Sequence, residues 1–173
     1  MGLRSRLQIE QVALAATARS TRTGNAQPPN GTPGSGGRAT SENLDLVRSI
    51  LGDWERGEFG RTADWADPEI EFVVADGPEP GRWFGLVAAE QAGDAILSPF
   101  ANARIEAEEY RELDGERVLV LVRSSGRGRT SGMDIEEMHV KAADVFHVRG
   151  GKVTRLAAYW DRDRAFADLG LEA

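Results

Sequence analysis

Asp144 lies within 142-AADVFHVRGG-151, where an extended strand puts it on one face with Ala142, Phe146 and Val148 and turns Ala143, Val145 and His147 to the other. A carboxyl group held among apolar neighbours loses hydration, which raises its pKa toward the range where it trades protons near neutral pH. Residue type and company together point to a general acid or base. A structural reading stands beside this one: Asp144 pairs with an arginine of the adjoining strand, Arg123 being the candidate, and does no chemistry.

Other reactive side chains are few. The chain has no cysteine and two histidines, which excludes disulfides, zinc-thiolate sites and thiol nucleophiles and leaves too few imidazoles for a His-rich metal cluster. His139 has Glu137 and Lys141 on its own face, the pattern of a solvated or interface position, and His147 shares an apolar strip with Ala143 and Val145. The segment 123-RSSGRGRTSG-132 lacks the strand-to-helix geometry of a phosphate loop and reads as a hairpin end. No Gly-x-Gly-x-x-Gly, Walker or His-Glu-x-x-His motif occurs, so the sequence implies no metal and no organic cofactor.

Trp54, Trp83, Tyr159 and Trp160, with Phe72 and Phe146, are candidates to line a pocket for a flat apolar ligand, and the same rings also suit a plain core. Ala142 and Ala158 are small enough to leave room for a ligand if they face inward.

These residues need elements to hold them. Ser41 can cap a helix whose apolar residues Leu44, Val47, Ile50, Leu51 and Trp54 recur at three-to-four-residue spacing, with Gly57 ending it. A short helix over 59–66 stops at Asp67-Pro68, a strand covers 69–75, a short strand 82–86, and a helix 87–100. Strands follow over 103–113, 117–128, 132–148 and 152–160, with Asp114-Gly115 and Gly150-Gly151 as hairpin turns. Acidic residues Glu106, Glu108, Glu109 and Glu112 suit a solvated sheet edge, and a last helix over 162–170 is capped by Asp161. Helices first and an antiparallel meander after them mean α+β.

The 173 residues, 40% hydrophobic and 28% charged, suffice for one sizeable core plus a tail. Residues 1–40 hold five arginines against one glutamate, a net of +4, which leaves −11 of the total −7 for residues 41–173. The segment 24–40 is rich in Gly, Pro, Asn and Ser, so residues 1–40 read as a flexible basic extension and linker ahead of one domain over 41–173. An acidic chain without a long apolar run is not expected to bind nucleic acid or enter a membrane, and the interrupted apolar stretch near its start argues against export, so a cytoplasmic location is expected.

The order of elements, with Trp65-Ala66-Asp67-Pro68 leading into a strand and 144-DVFHVRGGKV-153 followed by Tyr159-Trp160-Asp161, resembles the SnoaL-like branch of the superfamily of nuclear transport factor 2 and ketosteroid isomerase. The resemblance runs from about Ser41 to Leu171 and implies a cone: a curved antiparallel sheet wrapped around N-terminal helices, with a mostly apolar pocket at its open end. It also implies homodimers through the outer sheet face, where Ala143, Val145 and His147 would lie. Asp144 matches the proposed acid/base aspartate of SnoaL-type polyketide cyclases and falls near the protonated oxyanion-hole aspartate of the steroid isomerase. The other template positions differ: Ile50 stands for the isomerase's oxyanion tyrosine, about Val73 for its base, and Ala158 for the final-strand aspartate of limonene-epoxide hydrolase. The resemblance thus implies a pocket for an apolar or aromatic molecule with cofactor-free chemistry at Asp144, of the isomerase, cyclase, dehydratase or hydrolase type. A non-catalytic carrier or sensor, and a scaffold docking partners through residues 1–40, remain as alternatives.

Overall fold

The structure is a computed structural model that describes residues 36–128 and 138–172, with side chains over 42–128 and 139–172. All of these residues belong to one compact unit, Pro33–Ala173. Helix α1 (Gly36–Glu55) starts five residues ahead of Ser41. Once a helix exists each added residue gains a hydrogen bond for little further ordering, so the capping signal did not set its start. Its apolar stripe buries Val47, Ile50, Leu51 and Trp54, and Gly57, at φ 80°, ends the turn by donating to the Trp54 carbonyl.

One turn of helix α2 (Thr62–Trp65), shorter than expected, leads directly into β1 (Ala66–Val74), then β2 (Gly81–Phe84) and helix α3 (Leu86–Leu97). The meander follows as β3 (Phe100–Glu112), β4 (Arg117–Gly128), β5 (Met138–Arg149) and β6 (Lys152–Tyr159), and helix α4 (Arg162–Leu169) closes the chain. The curved six-stranded sheet has the order β2-β1-β6-β5-β4-β3. It is mixed rather than wholly antiparallel, because the meander returns from the far edge and lays β6 parallel to β1. The acidic residues of β3 do occupy an edge strand, though Glu106 and Glu108 are engaged by Arg123 and Arg162.

Two apolar clusters lie on opposite faces of this sheet. The inner one joins the α1 stripe and Trp65 to Phe72, Val74, Val118, Val120, Val122, Phe146 and Leu156. The outer one sets Val73, Leu119, Leu121, Ala143, Val145 and Ala157 beneath Ala165 and Phe166 of α4. Asp161 caps α4 by accepting from the Asp163 amide at 2.9 Å, and Gly170, at φ 66°, ends it. This helix corrects the expectation for the outer strip: Ala143 and Val145 are covered by the chain's own C-terminus rather than left bare for a second copy.

Candidate functional site

Between the inner sheet face and helices α1 to α3 lies a cavity of about 330 Å³, the size of a small-molecule pocket. Strand parity fixes its sheet wall. On β4 the residues Val122, Ser124 and Gly126 face it, with Ser125 also bordering it, and on β5 Val140, Ala142 and Asp144 do. From β6 come Leu156 and Ala158, from β1 Ile70 and Phe72, while Ala89, Gly93, Ile96 and Leu97 of α3 close the opposite side.

Asp144 is the one buried charged residue among those described, 6% exposed. Its cross-strand partners are Val120 on β4 and Ala158 on β6, so neither flank offers it a polar group. Arg123 lies on the other face, opposite Lys141, and bonds Glu106 at 3.0 Å, so the structural ion pair is not formed. With no described group donating to it, burial alone acts on the carboxyl and pushes its pKa up to about 7. At neutral pH such a group is poised to give or take a proton.

The sequence-nominated residues separate by depth. Trp54, Phe72, Ala142, Ala158, Tyr159 and Trp160 line the cavity with Asp144. Phe146 shares the face of Asp144 but is fully buried beneath Trp54, with ring centroids 5.9 Å apart, and Trp83 packs behind Phe72 at 5.8 Å. Neither reaches the cavity. His139 is exposed, and His147 lies on the outer face, where burial and then the charges of Arg155 and Arg117 lower its pKa.

Trp160 is set in place by the turn that joins β1 to β2. The Asp76 carboxylate accepts from the Trp160 amide at 2.6 Å and the Asp161 amide at 3.3 Å. Gly77, at φ 93°, lets the indole close over it, since a Cβ there would stand 2.8 Å from the ring. Also missed were Ser124 and Gly126, read as part of a hairpin end. Their even numbering with Val120 and Val122 was the available signal. The rest of that segment, 129–132, lies outside the described residues.

The template positions hold no second catalytic group. Ile50 is buried in the core, Val73 faces α4 with Phe72 and Val74 turned inward instead, and Ala158 stands beside Asp144. Ser124 is four residues beyond Val120, the partner of Asp144, or roughly 13 Å along β4 at strand rise. Thr62, Glu90, Asp94 and Arg104 line the cavity from other elements, the last three exposed at its rim. No three His, Cys, Asp or Glu side chains among the described residues are grouped to hold a metal, and no described helix is long and apolar enough to cross a membrane.

No family model matches the sequence, and no curated protein matches it. Solved structures do match the fold. A SnoaL-like polyketide cyclase, so described, from Jannaschia sp. CCS1 superposes over 84% of this chain and all of its own, at 12% identity and a TM-score of 0.60. An NTF2-like protein from Burkholderia pseudomallei K96243 covers 73% of this chain and 95% of its own, at 16% identity and a TM-score of 0.58. TerC, co-crystallised with polyporic acid, covers 74% of this chain and 97% of its own, at 19% identity and a TM-score of 0.56. The chain has the SnoaL-like, NTF2-like fold that its order of elements implied.

Proposed function

We propose that this NTF2-like cone binds an apolar, ring-bearing small molecule in its cavity, with Asp144 as the group that exchanges a proton with it. The observation that carries this reading is Asp144 itself, an unpaired acid on the wall of an apolar cavity, opposite a residue as small as Ala158. The ligand found with TerC, a chain of the same fold, supports a small molecule as the occupant. One carboxyl suffices for a cofactor-free shift of a proton within one ligand. The carboxylate takes a proton from the carbon beside a carbonyl, the electron pair moves to the oxygen, and the acid returns the proton at another atom. Isomerisation is the simplest such reaction. Cyclisation, dehydration or hydrolysis would need a further polar group, which the ligand or a bound water would supply.

A second reading, binding without chemistry, is favoured by the distance of Ser124 and by the inert residues at the template positions. Deuterium exchange distinguishes the two. A carbonyl ligand with an acidic C–H, incubated in D₂O, takes up deuterium in the presence of the protein and not with Asp144→Asn if the acid moves protons. Binding without exchange assigns a carrier or sensor.

Self-association through the outer sheet face would use the cross-strand row Arg117, His147, Arg155, Glu71 and Phe84, none of which belongs to the cluster beneath α4. Sedimentation distinguishes the 18.8 kDa monomer from its dimer.

A further inference from the structure

We propose that the cavity selects an apolar amine, its ammonium set against the Asp144 carboxylate and its rings against the aromatic wall. This rests on the pocket reading above and does not depend on Asp144 carrying out a chemical step.

Asp144 has two carboxylate oxygens and receives no hydrogen bond from any described group. A ligand acceptor would take the one proton of the neutral acid and leave the second oxygen bare. An ammonium brings up to three donors and a charge, and so satisfies both. Burying a lone carboxylate is costly, and a cation brought by the ligand offsets that cost where the protein supplies none.

The surrounding charges have the sign this needs. Arg104 is the one cation among the described residues lining the cavity. It is exposed, and its guanidinium donates to the Glu55 carbonyl at 2.8 Å. Glu90 and Asp94, one turn apart on α3, stand at the rim. Strands β1, β4 and β6 present Val74, Val120 and Ala158 in the same cross-strand row as Asp144 and no charge. A carboxylate ligand would therefore meet an acidic rim and a buried acid, whereas a cation is drawn inward. Trp54, Trp65, Phe72, Phe100 and Trp160 line the same space, and aromatic ring faces attract cations most strongly where water is excluded.

The test uses the full chain and three probes of one shape: biphenylmethylamine, biphenylmethanol and biphenylcarboxylate, titrated calorimetrically at about pH 8.5 and about pH 5.5, on either side of the Asp144 midpoint. At the higher pH the amine is expected to bind at least about tenfold more tightly than the alcohol, with the carboxylate weakest. At the lower pH, where Asp144 holds its proton, that preference shrinks, and Asp144→Asn abolishes it at both. Should the variant fail to fold by circular dichroism, the wild-type pH comparison decides. A preference below tenfold at the higher pH, or one that does not shrink at the lower pH, overturns the amine while leaving the pocket. If none of the three binds, the pocket reading itself falls and the amine with it.

Discussion

Asp144 and Ala158 stand directly opposite one another on β5 and β6, a carboxyl facing a methyl on the wall of an apolar cavity. That pairing determines both the chemistry of the acid and the space in front of it.

The acid makes stability pH-dependent in a defined direction. Burial raises the Asp144 pKa to about 7 in the folded chain, so the folded state holds its proton over a range where the unfolded state has released it. The stability is fully present below the unfolded value, near 3.9, and declines until the pH has passed about 7. The loss amounts to a few kcal/mol, at about 1.4 per pKa unit. Urea unfolding of wild type and Asp144→Asn from pH 4 to pH 8 measures it, the variant being flatter and the more stable of the two at pH 8. A wild-type curve that instead gains stability across this window relative to the variant would contradict the buried, unpaired acid.

Ala158→Leu tests the space. Leucine at this position projects into the cavity beside Asp144, in front of Val74 rather than into close-packed core, so the cost to stability is expected to stay below about 2 kcal/mol. Affinity for an apolar ring ligand should fall at least about tenfold, as the added carbons occupy its place. Unchanged affinity would place the ligand elsewhere.

Much of this wall was legible because strand parity is rigid: Ala142, Asp144 and Phe146 had to share a face, and Ala143, Val145 and His147 the other. Parity gives a face and no depth. Phe146 lies one step along the strand from Asp144 on the same face, yet packs under Trp54, because α1 crosses there. The cover over Ala143 and Val145 was hidden for a related reason. It comes from Phe166, more than twenty residues away, and nothing local to β5 encodes that contact. The parallel pairing of β1 with β6 likewise depends on the whole meander returning across the sheet.

Gly77→Ala should loosen Trp160. The backbone there is left-handed, at φ 93°, and the new methyl would meet the indole at 2.8 Å, so either the ring or the turn must move. The combined strain and displacement predict a loss of about 1–3 kcal/mol. Gly115→Ala, in open space, is the control and should be near neutral. Because Trp160 lines the cavity, Gly77→Ala should also shift the tryptophan emission and weaken ligand binding. A near-neutral Gly77→Ala would show that the indole does not depend on that contact.

Arg162 ties the outer helix to the strands that form the cavity wall. Its Nε donates to the Ala142 carbonyl at 2.9 Å, while Nη2 donates to the Val122 carbonyl and to Glu108 Oε2, both at 2.7 Å. Val122 and Ala142 turn their side chains into the cavity, so one guanidinium fork fixes the backbone of two wall residues from behind. A lysine carries the charge but cannot span both carbonyls in this geometry, and Arg162→Lys is therefore expected to cost about 1–3 kcal/mol instead of rescuing the site. Hydrogen exchange is expected to rise at amides of β4 and β5 near residues 122 and 142, with weaker binding of an apolar ring ligand. If lysine preserves stability, exchange and affinity alike, Arg162 acts as a simple charge partner of Glu108, and the helix does not hold the wall.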